Sequence, residues 1–299
     1  MSPLTILLSV LFALVGAPVL ADPVTISTAR GPVALEPGPE RVVVFDIAAL
    51  DTLDALGVKL VGVPQKLYVS YLDHVSAEAE PVGTIFEPDL EAVAALEPDL
   101  IVIGGRSGPR YDALAAIAPV IDMTVGEDTL FEDARARIDA YGALFDRGPQ
   151  AAELAAALDA EIAAARAAAA GRGDALILMT NGPKISAYGP GSRFGWLHAA
   201  LGLPAAVLDM TAANHGEVVS FEFVRQADPD WLLVIDRSAA IGEGAEGARA
   251  TLDNPLVADT TAWKQGQVVY LDAAPIYIAG GGVRAISGVL DELTAAFTR

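Results

Sequence analysis

The sequence has no cysteine, little positive charge and no apolar run of membrane-spanning length beyond its first 21 residues, and each shortage excludes something. Without cysteine there can be no disulfide, no thiol nucleophile and no lipid-anchor cysteine anywhere in the 299 residues. Nineteen Lys and Arg stand against 39 Asp and Glu, a net charge of −20 that repels nucleic acid and anionic lipid alike. Neither is an expected partner. The same deficit makes any cluster of arginines informative, because an anion could be captured here only by local groups working against the global field. GxSxG, HExxH and Walker patterns are missing too, so no enzyme motif supports a hydrolase built on one of the three histidines. Gly242, Gly244 and Gly247 do spell a dinucleotide fingerprint, but Glu243 and Glu246 between them would repel a pyrophosphate.

The first 21 residues are uncharged and apolar and close on Val19-Leu20-Ala21. That pattern predicts a signal peptide over residues 1–21 and a mature chain from Asp22, exported and soluble in the periplasm.

Two stretches of eighteen residues match at an offset of 131: DLEAVAALEPDLIVIGGR from Asp89 and SFEFVRQADPDWLLVIDR from Ser220. Glu91 aligns with Glu222, Pro98 with Pro229, Asp99 with Asp230 and Arg106 with Arg237. Each copy reads as a short helix, a Pro-Asp turn, an apolar strand and an arginine at the strand's carboxyl end. Open α/β sheets bind ligands just outside those ends, so the matched arginines predict one ligand held between two similar halves.

The remaining pattern is α/β. RVVVFD, a helix over Ile47–Leu56 and KLVGVP form a βαβ unit, residues 64–88 read as loop, and PVIDM reads as a strand. A helix over Leu130–Phe145 is followed by an alanine-rich helix from Pro149 to Gly171. ALILMT restarts the strands, NGPKISAYGPGSRFG reads as turns, Ser238–Arg249 as a loop, and a helix from Arg284 to Phe297 closes the chain. The expected architecture is two lobes with mainly parallel central sheets flanked by helices: an N-terminal lobe over 22–147, an inter-lobe helix over 148–171 and a C-terminal lobe over 172–299. A helical connector implies limited hinge motion.

Five side chains at expected loop positions face the cleft between the lobes: Arg106, Arg193, His215, Arg237 and Tyr277. Guanidinium forks match carboxylate, phosphate or catecholate oxygens. His215 offers a nitrogen, and Tyr277 offers a phenol that Fe(III) would deprotonate at neutral pH. A ferric complex with two open sites could be completed by that pair. Singly, a strand-end arginine suits a surface ion pair, a loop histidine needs no ligand, and a tyrosine can simply cover apolar surface. Acids such as Glu91 and Glu222 favour a helix's first turn whatever they bind.

The phrases ISAYGPGSRFGWLH, NHGEVVSFEFV, VIDR and YIAGGGV resemble the periplasmic siderophore-binding proteins of ABC transporters, in the helix-linked class of substrate-binding proteins, and most of all the group taking up ferric catecholates such as petrobactin. The resemblance implies that Arg106, Arg193 and Arg237 contact catecholate oxygens, that His215 and Tyr277 coordinate the iron, and that Glu91 and Glu222 dock on the permease. It implies a monomeric receptor without catalysis or permanent cofactor, carrying Fe(III) only as a siderophore complex. Ferric citrate, a hydroxamate complex or haem is the alternative cargo, and an exported siderophore hydrolase the alternative activity.

Overall fold

The computed structural model of the chain describes residues 22–126, 129–210, 215–243 and 247–299; the expected signal peptide at 1–21 lies outside them. An antiparallel hairpin of β1 (Val24–Thr28) and β2 (Gly31–Leu35) leads into the first lobe. There β3 (Val42–Val44), β4 (Gly62–Val63), β5 (Glu80–Pro81), β6 (Leu100–Ile103) and β7 (Val120–Asp122) form an all-parallel sheet in the order β5-β4-β3-β6-β7. Runs such as Val42-Val43-Val44 are buried on both faces, as a sheet covered by helices on either side requires.

The second sheet contains β8 (Ala175–Asn181), β9 (Lys184–Tyr188), β10 (Glu217–Val219), β11 (Trp231–Asp236) and β12 (Val268–Tyr270), in the order β10-β9-β8-β11-β12. Strands β8, β11 and β12 are parallel, β9 pairs antiparallel with β8, and β10 pairs antiparallel with β9. The segment expected to be turns therefore holds a strand. Gly182 at φ +56 makes a tight hairpin that folds Lys184–Tyr188 back along β8.

The duplicated units occupy equivalent places, each next to the central strand of its sheet. Asp99 accepts from the backbone N–H groups of Glu40 and Arg41, while Asp230 accepts from that of Asp174. Each aspartate thus ties the start of its own strand to the start of the neighbouring one. Glu97 and Asp228, also equivalent, both adopt the left-handed region, at φ +46 and +40.

Alternate residues divide the core. Val42 and Val44, Ile177 and Leu233 face a hydrophobic cluster shared by both lobes. Val43 and Ile101 face a separate cluster outside the first sheet, and Leu178 and Leu232 one outside the second. The alanine-rich connector, Gly148–Ala169, begins with Pro149 in its first turn, where a missing N–H costs nothing. It packs beside helix Leu130–Leu144 and the closing helix, Val283–Phe297.

The closing helix also reaches the first lobe. Its own N-cap is Gly282, which has no side chain to cap with, so helix Ile47–Ala55 supplies the acceptors instead. Asp51 accepts from the N–H groups of Ala285 at 2.9 Å and Arg284 at 3.3 Å, and Thr52 from that of Val283 at 3.3 Å. Any Cβ at position 282 would lie 2.3 Å from the Asp51 carboxylate, so the approach requires glycine. Arg284 adds an ion pair to Asp54.

Candidate functional site

The loops at the carboxyl ends of the strands wall a cleft of about 530 Å³. It brings together four of the five side chains singled out in the sequence: Arg106, Arg193, His215 and Tyr277. Phe86, Phe194, Trp196 and Leu130 supply apolar wall. Arg237 stands outside this lining, with its Nη1 3.4 Å from Asn181 Oδ1.

Local structure explains the placement. Arg106 follows β6 after Gly104 and Gly105; a side chain at position 104 would strike Asp46 at 2.6 Å. Arg193 rides on a turn closed by Ser192, whose Oγ donates to the Gly189 carbonyl at 2.6 Å. Gly195 completes that turn, since a Cβ there would meet the Gly189 oxygen at 2.7 Å. Gly216, at φ +69 and against the Tyr188 ring, sets the backbone beside His215. The neighbouring residues 211–214, which include the Asn214 of the NHG phrase, lie outside the described residues.

Two expectations about local structure are corrected. Tyr277 is not in a loop but in the short helix Ala273–Ile278. The segment Ser238–Arg249 is not a simple loop either, because Arg237 opens a helix over Arg237–Ile241, capped by Asp236, and a further helix covers Ala248–Leu252. Asp236 accepts from the Ala239 N–H, so the strand-end acid stops the strand and starts the helix at once.

Tyr277 is the meeting point of the cations. Its carbonyl accepts from Arg106 Nη2 at 2.6 Å and from Arg193 Nη2, while Arg106 Nη1 donates to the Ile278 carbonyl at 3.2 Å. The Arg193 guanidinium lies 4.3 Å from the centre of the Tyr277 ring. Burial pushes the phenol's pKa up, but hydrogen bonding to Arg237 and the charges of Arg193 and Arg237 outweigh it and hold the group below its ordinary value. Arg106 is itself lowered, first by burial and then by the like charge of Arg193, with Asp46 acting in the opposite direction. The site is an electropositive pocket with an acidified phenol at its centre.

The sequence did not point to Arg137 or Asp46. Arg137 is 4% exposed, lines the cleft and lies 3.6 Å from Asp46. Asp46 caps helix Ile47–Ala55 through the Ala49 N–H, and its pKa is raised by burial despite Arg137 and Arg106. One signal was available: Arg137 falls on the same helical stripe as Ala134, Ile138 and Tyr141, all buried, where a charge needs a reason.

Glu91 and Glu222 are exposed, each at the second position of its helix, in Leu90–Ala95 and Phe221–Ala227. Glu222 is held below the usual carboxylate range by its own backbone N–H and by Ser220. Among the described residues, no helix is long and apolar enough to cross a membrane.

Two α/β lobes joined by a long helix, facing each other across an arginine-lined cleft, define a two-lobe substrate-binding architecture. The chain belongs to the periplasmic binding protein family, whose model matches residues 42–275. Petrobactin-binding protein YclQ of Bacillus subtilis is 36% identical over 259 residues, covering 85% of this chain and 81% of that protein. Its crystal structure matches with a TM-score of 0.86, covering 93% of this chain and 100% of that one at 34% identity. Ferric-anguibactin-binding protein FatB of Vibrio anguillarum is 30% identical over 286 residues, covering 93% of this chain and 88% of its own. The periplasmic catecholate-siderophore binding protein VctP of Vibrio cholerae has a TM-score of 0.86 and 33% identity, covering 92% of this chain and 100% of that one.

Proposed function

We propose that the protein is a periplasmic receptor that captures a ferric catecholate siderophore between its lobes and delivers it to an ABC importer. The observation that carries this reading is the convergence of Arg106 and Arg193 on Tyr277, in a cleft that His215 also lines. Catecholate oxygens are anionic and paired, which suits guanidinium forks, and the aromatic walls suit the rings that carry them. The acidified phenol of Tyr277 and the imidazole of His215 offer two ligands to iron whose remaining ligands come from the siderophore. Arg237, beside the phenol, both lowers its pKa and is available to the same oxygens. YclQ is named for petrobactin, FatB for ferric anguibactin and VctP for catecholate siderophores, which favours a ferric siderophore as the cargo here.

On this reading the chain is a binder rather than a catalyst, Fe(III) arrives only as cargo, and the mature protein works as a soluble monomer after loss of residues 1–21. The lobes are 22–147 and 172–299 about the 148–171 connector. Exposed Glu91 and Glu222, one per lobe, meet cationic side chains of the permease. The test is titration with a ferric bis-catecholate, read by quenching of Trp196, which lines the cleft, and by the charge-transfer band. Saturable quenching is expected, with a band displaced in His215→Ala/Tyr277→Phe. An unchanged band in the double variant removes direct iron coordination, and binding of ferric citrate or a hydroxamate complex in preference to catecholates replaces the cargo.

A further inference from the structure

The turn between β5 and helix Leu90–Ala95 holds an aromatic ring out of the core. Phe86 is 54% exposed, lines the cleft, and is the one aromatic side chain among the exposed large apolar residues of the described structure. Its neighbour Ile85 is 2% exposed and belongs to the shared core, so the tip of the turn divides its side chains between core and cleft. The backbone of the turn is braced on all sides. The Thr84 N–H donates to the Glu87 carbonyl at 2.9 Å, and Thr84 Oγ1 accepts from the N–H groups of Phe86 at 3.2 Å and Glu87 at 2.9 Å. Gly83, at φ +99, lets the chain fold back, because a Cβ there would lie 2.5 Å from the Glu87 carbonyl oxygen. Arg110 anchors Glu87 by an ion pair. None of these contacts uses the Phe86 ring.

The other rings of the cleft are already engaged. Phe194 packs against Tyr188 with centroids 4.7 Å apart and tilts towards Tyr277, Trp196 meets Phe131 edge-on at 5.1 Å, and Tyr277 lies beneath Arg193. Phe194, Trp196 and Tyr277 all come from the second half of the chain, and Phe86 is the first lobe's one ring in the described lining. Among the described residues it has neither an aromatic partner nor a cation over its face. A half-exposed phenyl ring forgoes the gain from burial, and a flat ring laid upon it would recover that gain together with offset stacking.

We propose that Phe86 is a specificity-determining residue of the cleft, a preplaced platform on which an aryl ring of the cargo stacks. Through it the first lobe selects siderophores whose iron-binding oxygens are carried on aromatic rings over aliphatic ferric complexes. This rests on the ferric-siderophore reading of the same cleft. Arg106 and Arg193 attract any compact anion, and a guanidinium fork matches a citrate carboxylate as well as a catecholate. Discrimination between the two therefore falls to what carries the oxygens, and Phe86 is the unengaged apolar surface that meets it.

The full chain is titrated by calorimetry with a ferric bis-catecholate and, separately, with ferric citrate. Phe86→Ala should weaken the catecholate about tenfold, and Phe86→Leu, which keeps apolar area but loses the π face, about threefold. Phe86→Tyr keeps the ring and should stay within about twofold of the wild type. Ferric citrate, which has no ring to stack, should change by less than about twofold in all three. The hydrogen bonds of the turn come from its backbone and Thr84, so the variants should unfold at the wild-type midpoint. Unchanged catecholate affinity in Phe86→Ala, or an equal loss for ferric citrate, overturns the inference and leaves the receptor reading standing. Catecholate affinity in Phe86→Leu equal to that of the wild type overturns stacking as its basis. A wild type that binds no ferric catecholate refutes the receptor reading itself, and the inference with it, before any variant is compared.

Discussion

Asp51 makes the stability of this protein depend on pH in a direction opposite to that of most carboxylates. Burial pushes its pKa up from 3.8 to about 6, against hydrogen bonds from the Ala285 N–H and the Tyr71 hydroxyl that pull it down. The raised value means that the folded state binds the proton more tightly than the unfolded chain. The stability linked to that proton is fully present below about pH 4 and is lost as pH rises through about 6. The whole displacement corresponds to about 3 kcal/mol, and the part falling between pH 7 and pH 5 to about 1 kcal/mol. In Asp51→Asn nothing titrates at that position, while an amide oxygen can still accept from Ala285. Urea unfolding of both proteins at pH 7 and pH 5 isolates the group, because the other carboxylates cancel in the comparison. The wild type should gain about 1 kcal/mol on the variant as pH falls from 7 to 5. Parallel pH profiles, or a wild type that loses ground on acidification, would refute the assignment of a destabilised buried carboxylate.

Arg193→Ala should weaken a ferric catecholate by about 10- to 100-fold through loss of a charge-assisted contact, read by Trp196 quenching, with unfolding midpoints little changed. Gly195→Ala should cost about 1–3 kcal/mol in urea unfolding, because the new Cβ presses on the Gly189 carbonyl, and should weaken binding by shifting Arg193. Glu91→Ala with Glu222→Ala should leave the affinity for cargo intact and abolish uptake in cells; full uptake with the double variant removes their docking role. Phe297→Ala, which empties a buried position of the shared core, should cost about 3–5 kcal/mol.

What could be read from the sequence was what repeats or what is local. Asp99 and Asp230 hold matching strand junctions and Glu91 and Glu222 matching helix starts because a short helix, a Pro-Asp turn and a strand carry their own instructions. Strand β9 was hidden because glycine and proline flank five residues whose strand character depends on pairing with β8. Tyr277 was misplaced for a similar reason: the Pro275 ahead of it and the glycines behind it suggest a loop, yet proline is tolerated in a helix's first turn. Arg137 needed the third dimension. Its neighbours in sequence mark a buried stripe, but only the folded chain shows that the stripe ends at the cleft. Asp51 was equally opaque, since the helix it caps begins 232 residues later, at Val283.

The stretch from Tyr277 to Ala285 belongs to the second half of the chain, yet the first lobe grips it at both ends, through Arg106 at its beginning and Asp51 at its finish. The segment that carries the phenol is thus fastened to the lobe it does not belong to on both sides of the Gly280–Gly282 run, and Tyr277 is positioned by both halves of the chain at once.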